Sequence, residues 1–265
     1  MSRADPVGFF DSGQGGRCIL EAFRRRCPNE FTVYLADTAN CPYGNRSAEE
    51  VARLSEACAS RLLAEGCKMV VVACNTATAA AIDRLRARHP EVPFIGLEPA
   101  VKPAALRSRT GVVAVLATMG TFSGRIYRDT SMRFAKGVTV LMVVADEFVE
   151  EVERLGDRPV EILEGAELAR VEGLVRRKVE PLLAAGADHL VLGCTHFPRL
   201  KAIIERLAAG RATVLDPSDA VARQAERVLM RLGLRNPSAE RAAETRFLQN
   251  PGRLPGVAHL KATAR

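Results

Sequence analysis

The sequence predicts an α/β protein made of two halves of similar construction. Short apolar runs alternate with segments of helical periodicity along most of the chain, which is typical of parallel βαβ units. The chain has 265 residues, and at ~150 residues per domain this length suits two domains. One pattern, an apolar run followed by a small residue and then cysteine, occurs twice, about one domain length apart. We therefore expect two sheet-containing domains in one chain.

The first half shows four candidate strands with helical segments between them. A glycine-containing turn follows the first apolar run, and hydrophobic residues then recur at helical spacing from Ile19 to Phe23. Ser47 is the predicted N-cap of the next helix, and Gly66 is its predicted stop. The predicted strands are residues 7–10, 31–36, 69–73 and 94–97, and the later helices are residues 48–63 and 79–88.

The alternation starts again in the second half. The predicted strands are residues 111–117, 138–144, 189–192 and 212–215, and the predicted helices are residues 165–183, 201–207 and 218–232. The segment beyond Asn250 is rich in proline and glycine, and we expect it to wrap the surface.

The composition excludes several classes of protein. A hydrophobic content of 48% with 26% charged residues argues against disorder and low complexity. The longest apolar runs, residues 69–74 and 138–145, fall far short of the ~20 residues that a membrane-spanning helix needs. Charges in the first six residues do not fit a signal peptide. We therefore expect a protein of the cytoplasm without a membrane span.

Seven cysteines in the chain argue for free thiols rather than disulfides. Their number is odd, and no pair has the C-x-x-C spacing of a zinc ribbon or a redox motif. Cys194 and His196 lack a second close pair of zinc ligands, so we expect no metal. The six lysines do not lie in loops that resemble a pyridoxal phosphate site, so we expect no cofactor.

The repeated pattern places two of these cysteines in matching contexts. Residues 69–76 are MVVVACNT and residues 189–195 are HLVLGCT, so Cys74 and Cys194 each follow an apolar strand. The carboxyl ends of strands are where open α/β sheets bind ligands. Either cysteine alone is more typical of an inert core position, but the recurrence predicts a shared function.

A glycine loop follows the first predicted strand. It consists of Gly13, Gln14, Gly15 and Gly16, directly after Asp11 and Ser12. Cys18 stands where a dinucleotide-binding fingerprint needs glycine, and the chain has no P-loop motif. We therefore interpret the loop as a cradle for an anion smaller than a nucleotide, such as a carboxylate, with a plain tight turn as the alternative.

These residues resemble a known family, the cofactor-independent aspartate/glutamate racemases. The resemblance covers nearly the whole chain in order. Its segments are Asp11-Ser12-Gly13-Gln14-Gly15-Gly16, Asp37-Thr38 through Pro42-Tyr43-Gly44, Ala73-Cys74-Asn75-Thr76-Ala77, Ala117-Thr118-Met119-Gly120-Thr121, Gly193-Cys194-Thr195-His196 and Asp216-Pro217.

The resemblance implies two α/β domains, with mainly parallel sheets, facing each other across an active-site cleft. The first would comprise residues 1–97 plus 211–265 and carry Cys74, and the second would comprise residues 98–210 and carry Cys194. The two cysteines would be the catalytic thiols, assisted by Asp11 and His196. The substrate would be bound by Asp11, Ser12, Tyr43, Gly44, Asn75, Thr76, Thr118, Thr121, Thr195 and His196.

The chain departs from the family pattern on the side of the second domain. Asp146 and Glu147 stand where a Cys-Pro pair is usual before Phe148-Val149, and Glu153 is the glutamate expected a few residues on. Gly124 replaces a common serine, and Phe197 replaces a commoner tyrosine.

Two thiols suit racemisation for a physical reason. The α-proton must leave one face of the substrate and another must arrive at the opposite face, which needs one deprotonated and one protonated group. A reference pKa of ~8.5 lets thiol and thiolate both be populated near neutral pH after modest tuning.

The resemblance implies interconversion of L- and D-glutamate, supplying D-glutamate for peptidoglycan synthesis, by an enzyme that forms a homodimer. Racemisation of aspartate or another amino acid is the alternative. A second, regulatory contact with DNA or DNA gyrase is a further alternative, motivated by the net charge of +7. The chain has no nucleic-acid-binding motif, and aromatic residues for base stacking make up only 5% of it.

Overall fold

A computed structural model describes residues 1–237 and 243–250, which form two parallel β-sheets flanked by helices. The strands are β1 Val7–Asp11, β2 Thr32–Ala36, β3 Met69–Val72, β4 Phe94–Ile95, β5 Val112–Ala117, β6 Thr139–Val144, β7 His189–Leu192, β8 Thr213–Leu215 and β9 Thr245–Gln249. The helices are α1 Arg17–Arg26, α2 Ala48–Ala64, α3 Asn75–Arg88, α4 Val101–Arg107, α5 Met119–Phe122, α6 Arg125–Phe134, α7 Asp146–Leu155, α8 Gly165–Ala184, α9 Lys201–Ala208 and α10 Ser218–Arg231.

The sheets divide the chain into two domains of similar construction, as predicted. The first sheet has the order β4-β3-β1-β2-β9 and the second the order β6-β5-β7-β8, and every paired strand is parallel. The strands that precede Cys74 and Cys194 are β3 and β7. Each lies beside a central strand of its sheet, β1 or β5. The mixed α/β class is confirmed.

Both faces of the central strands are covered, which explains their unbroken apolar sequences. All five residues of β1 and all four of β3 are buried. On one face of the first sheet, α1 and α10 bury Ile19, Phe23 and Leu229. On the other face α2 and α3 pack against the sheet, where α2 begins at Ser47, whose side chain accepts a hydrogen bond from Glu50 N.

The end of the second domain differs from the prediction. Residues from 211 onward were expected in the first domain, yet β8 pairs in parallel with β7, with His189 opposite Thr213. The chain therefore returns to the first domain after Leu215, where α10 packs on α1 and β9 pairs with β2. The turn at Gly210, between α9 and β8, therefore lies within the second domain. The remaining predicted boundaries stay a prediction.

Several helices were not predicted. Helices α4, α5 and α6 bury few apolar residues, whereas α7 buries Phe148, Val149, Val152 and Leu155 behind a polar first turn. Helix α3 begins four residues before its predicted start, because the Cys74 side chain caps it. The predicted surface path of residues 251–265 lies outside the described residues.

No helix in the described part of the chain is long and apolar enough to span a membrane.

Candidate active site

The predicted site residues meet at the carboxyl ends of the strands of both sheets. Asp11 ends β1, Cys74 lies two residues after β3, Thr118 directly follows β5, and Cys194 lies two residues after β7. One cavity between the domains contains both thiols. Its lining is Ser12, Pro42, Tyr43, Gly44, Cys74, Thr76, Thr118, Asp146, Val149, Cys194, Thr195 and His196.

A larger cavity of about 610 Å³ adjoins this one and shares Gly44 and Thr76 with it. Its walls come from the start of α2 and from α3 in the first domain, and from α5 and α6 in the second. The larger cavity therefore adjoins the thiol-containing cavity at Gly44 and Thr76.

Cys74 is buried at the N-terminus of α3. Its sulfur accepts a hydrogen bond from Ala77 N at 3.4 Å and lies 3.7 Å from the Ser12 hydroxyl. Burial raises the pKa of the Cys74 thiol, and the nearby Asp11 charge adds to this effect, while the bonds from Ala77 and Ser12 oppose it. The thiol form of Cys74 is thus favoured, so this environment suits a proton donor.

Cys194 has a different partner. Its sulfur lies 3.7 Å from Nδ1 of His196, and Nε2 of that histidine lies 2.6 Å from Oε1 of Glu153. Burial alone would lower the pKa of His196, but hydrogen bonds to Cys194 and Glu153 raise it well above its usual value. Burial would raise the pKa of Glu153, but its hydrogen bond to His196 lowers it. The protonated form of His196, held by the Glu153 carboxylate, is therefore favoured beside this thiol.

Asp11 is fully buried beneath the glycine loop. Its Oδ2 accepts hydrogen bonds from Gly16 N at 3.0 Å and Gly13 N at 3.3 Å, and Thr195 Oγ1 lies 3.5 Å from its Oδ1. Burial raises the pKa of Asp11, and the charge of His196 opposes that rise. Asp11 lies in the first domain, but its pKa thus depends on a histidine of the second domain.

The glycine loop does hold carboxylates, but those in the described structure are the protein's own. Gln14 N donates to Glu153 Oε1 at 2.9 Å, while Gly13 and Gly16 donate to Asp11. A β-carbon at Gly15 would lie 2.6 Å from Nδ1 of His196. The loop therefore needs glycine because the His196 side chain of the opposite domain packs directly against it.

Hydroxyl groups connect the two domains across the cavity. Thr76 Oγ1 lies 2.9 Å from Thr118 Oγ1, which lies 2.9 Å from Thr121 Oγ1. Beside them, the buried side chain of Asn75 has no hydrogen-bond partner among the described residues. Buried polar groups are normally paired, so the amide of Asn75 is available to a ligand.

Comparisons with known proteins agree with this geometry. Residues 16–225 match the family model described as Asp/Glu/Hydantoin racemase. A glutamate racemase of Roseiflexus sp. (strain RS-1) is 46% identical over 232 residues, which is 87% of this chain and 82% of that protein. One from Herpetosiphon aurantiacus is 43% identical over 238 residues, covering 90% of each chain.

The chain belongs to the Asp/Glu/hydantoin racemase family. Glutamate racemase RacE1 from Bacillus anthracis has a similar structure, with a TM-score of 0.80 and 27% identity over 93% of this chain and 89% of that chain. The enzyme from Francisella tularensis, solved in complex with D-glutamate, gives a TM-score of 0.78 at 26% identity, covering 93% of this chain and 88% of that chain. The protein is therefore an amino-acid racemase, an isomerase.

Most of the predicted site residues of this racemase line the cavity or contact its lining. The hydroxyl of Tyr43 does not point at the substrate, because it donates to Asp37 Oδ2 at 2.5 Å. Tyr43 lines the cavity with its ring and backbone instead. Asp37 also accepts hydrogen bonds from the side chains of Asn40 and Asn250. Thr121 does not line the cavity itself but bonds to Thr118, which does.

Three cavity residues were absent from the predicted site. Pro42 and Val149 lie within or beside segments that carried the resemblance, but apolar residues there give no chemical signal. Asp146 is the third, and the departure from the family pattern at this position was its only signal. Glu153, expected from the resemblance alone, is the partner of His196.

One group within residues 1–237 and 243–250 has the side chains to hold a metal ion. The candidate ligand atoms of Cys41, Glu153 and His196 lie within 4.8 Å of one another. Two of them, on Glu153 and His196, are already joined by a hydrogen bond.

Proposed function

We propose that this racemase interconverts L- and D-glutamate by proton transfer between the substrate α-carbon and two thiols, Cys74 and Cys194. The observation that carries the proposal is that these thiols come from corresponding strand ends in two domains and line one cavity. One thiolate removes the α-proton, and the opposite thiol donates a proton to the other face. The two thiols exchange roles when the other enantiomer binds.

The surrounding groups supply the charges that this chemistry needs. The N-terminus of α3, with Asn75 and Thr76, is the proposed site for the α-carboxylate, because helix N-termini favour anions. Asp11 is the proposed partner of the α-ammonium group and the group that assists Cys74. His196, held by Glu153, is the proposed assistant of Cys194. Ser12, Tyr43, Gly44 and Thr195 complete the proposed binding wall.

Glutamate is favoured over aspartate by the relatives. The curated proteins at 42–46% identity are named glutamate racemases, and the solved relatives include one with D-glutamate and one from Escherichia coli with L-glutamate. Supply of D-glutamate for peptidoglycan synthesis follows from that activity. We also propose a cytoplasmic homodimer. Contact with DNA gyrase stays a prediction.

The test is NMR of L-glutamate with the purified enzyme in D2O without added cofactor. We expect loss of the α-proton signal together with loss of optical rotation. A parallel sample with L-aspartate distinguishes the alternative, because exchange with aspartate and not with glutamate would contradict the proposal. Light scattering after gel filtration tests the dimer.

A further inference from the structure

The carboxyl group of Asp146 is an unexplained feature of the substrate cavity. Asp146 begins α7 in the second domain and lines the cavity together with Pro42, Gly44 and Thr118. Its Oδ1 is buried and has no hydrogen-bond partner among the described residues. This oxygen lies against the first domain, since a β-carbon at Gly44 would come within 2.6 Å of it. An orphaned oxygen in a binding cavity is available to a ligand.

The charges around Asp146 do not neutralise it. Glu147 and Glu150 lie on the same helix, and Lys178 is the cation that faces it from α8. Lys178 is already committed to Glu147 at 2.7 Å and to the Val144 carbonyl at 2.9 Å. The backbone N–H of Met119, in α5, also lowers the pKa of Asp146.

The cost of ionising Asp146 is therefore raised. Burial raises the pKa of Asp146, and Glu147 and Glu150 raise it further, while Met119 N and Lys178 act in the opposite direction. From the first domain the facing loop brings Tyr43, whose hydroxyl is directed to Asp37. The other titratable groups of the cavity are the two thiols and His196 with Glu153.

The position of Asp146 relative to the substrate follows from the proposed function, on which this inference rests. The α-carbon must lie between Cys74 and Cys194, and the α-carboxylate and α-ammonium groups take the α3 N-terminus and Asp11. The part of the cavity wall that lies beyond these two groups is formed by residues 42–44, Thr118, Asp146 and Val149. The side chain of the substrate is thus directed toward this wall.

We propose that Asp146 is a specificity-determining residue that meets the distal carboxylate of the substrate in its acid form, the two carboxyl groups sharing one proton. Two adjacent carboxylates cannot both be ionised without a large penalty, as pairs of catalytic aspartates illustrate. The proton remains on oxygen throughout, and no bond to carbon is made or broken. Binding of glutamate therefore takes up a proton when Asp146 is ionised in the free enzyme.

This arrangement has a kinetic signature. Above the pKa of Asp146 in the free enzyme, each unit of pH reduces the binding-competent acid form up to ~10-fold, so KM for glutamate rises. The value of kcat is measured on the saturated enzyme, where the proton is already bound, and it does not follow the same curve.

The experiment measures KM and kcat for glutamate racemisation between pH 6 and 9 in the wild type, Asp146→Asn and Glu161→Gln. Asparagine keeps the shape and offers an N–H donor that does not titrate. We expect the wild-type KM to rise about fivefold or more across this range and the Asp146→Asn KM to stay within about twofold. Glu161→Gln, an exposed position of the second domain that does not contribute to the pKa of Asp146, should follow the wild type.

A second readout does not depend on turnover. Calorimetric titration of D-glutamate in two buffers of different ionisation enthalpy reports proton uptake, which we expect at pH 8 for the wild type and not for Asp146→Asn. A flat wild-type KM, or an Asp146→Asn variant with the wild-type rise and proton uptake, would overturn the inference. Wild-type enzyme that binds but does not racemise glutamate would instead overturn the proposed function.

Discussion

The two halves of the site begin alike and then diverge. Strands β3 and β7 are both four residues long and fully buried, and each is followed by a small residue and a cysteine. After Cys74 a 14-residue helix begins at once, and the cysteine caps it. After Cys194 the chain instead makes a turn that brings His196 back to the sulfur. The same strand end thus supports one thiol with a backbone N–H group and a serine hydroxyl, and the other with an imidazole.

This difference cannot appear as a directional preference in kcat/KM. L- and D-glutamate have equal free energies, so kcat/KM is the same in both directions for every variant of the enzyme. The two halves can be distinguished by reactions in which a proton leaves only one face of the substrate, or by the pH profile of kcat/KM.

Replacement of either thiol should have the largest effect. Cys74→Ser and Cys194→Ser should each lower racemisation ~10²- to 10⁴-fold or more, because a hydroxyl is a far weaker acid than a thiol. Serine is itself a good N-cap, so Cys74→Ser should keep α3 intact. Polarimetry measures the loss. The control is Cys27→Ser, at the C-terminal end of α1.

The same variants can separate the two faces. A glutamate analogue with a leaving group on its β-carbon needs only one base, which removes the α-proton while the leaving group departs. We expect each serine variant to eliminate from one enantiomer, and the two variants to choose opposite ones. Identical choices, or full racemisation by either variant, would contradict the two-thiol mechanism.

Contact between the halves can be broken at Gly15. A β-carbon there would lie 2.6 Å from Nδ1 and 2.7 Å from the backbone nitrogen of His196, so Gly15→Ala must displace the histidine or the loop. A displacement of this kind lowers kcat/KM ~10²-fold. The matched control is Gly173→Ala in α8, where the nearest group is a flexible arginine end at 3.6 Å and activity should be unchanged. Wild-type kcat/KM in Gly15→Ala would show that the close approach is dispensable.

The sequence predicts the strands and the thiol pair because their signals are local. An all-apolar run such as residues 69–72 has few alternatives to a buried strand, and a cysteine at its end is visible in the sequence. The helix from 146 to 155 was not predicted, because its first turn, with Asp146 and Glu147, resembles a polar loop in the sequence.

Contacts between domains could not be read from the sequence. Glu153 and Gln14 are 139 positions apart, and their hydrogen bond exists only because the cleft closes over both. Since this contact is invisible in the sequence, the glycine loop was predicted to bind a ligand carboxylate. The edge strand β8 was assigned to the wrong domain because three residues carry too little pattern to identify their sheet.

The support of Cys194 can be weakened at Glu153. Burial lowers the pKa of His196, whereas Cys194, Glu153 and Asp11 raise it, so removing the Glu153 carboxylate in Glu153→Gln should lower that pKa. The proposed role of His196 needs its protonated form. The alkaline limb of the kcat/KM profile should therefore move to lower pH in Glu153→Gln, with kcat/KM about tenfold below the wild-type value at pH 8.5. Glu161→Gln, an exposed position of the second domain, is the control, and an unshifted alkaline limb in Glu153→Gln would remove His196 from the mechanism.

The smallest expected effect tests the hydroxyl connection that the two halves share. Thr121→Val removes one partner of the Thr118 hydroxyl, which lies 2.9 Å from both Thr121 and Thr76. Loss of one such hydrogen bond costs ~1 kcal/mol, or about fivefold in KM, with kcat almost unchanged since neither thiol moves. Thr121→Ser should restore the wild-type KM. Thr78→Val, which removes a buried hydroxyl bonded to Leu97 N in the first domain, should lower the melting temperature and leave KM unchanged. If Thr121→Val and Thr78→Val behave alike, the threonine chain stabilises the fold and does not orient the substrate.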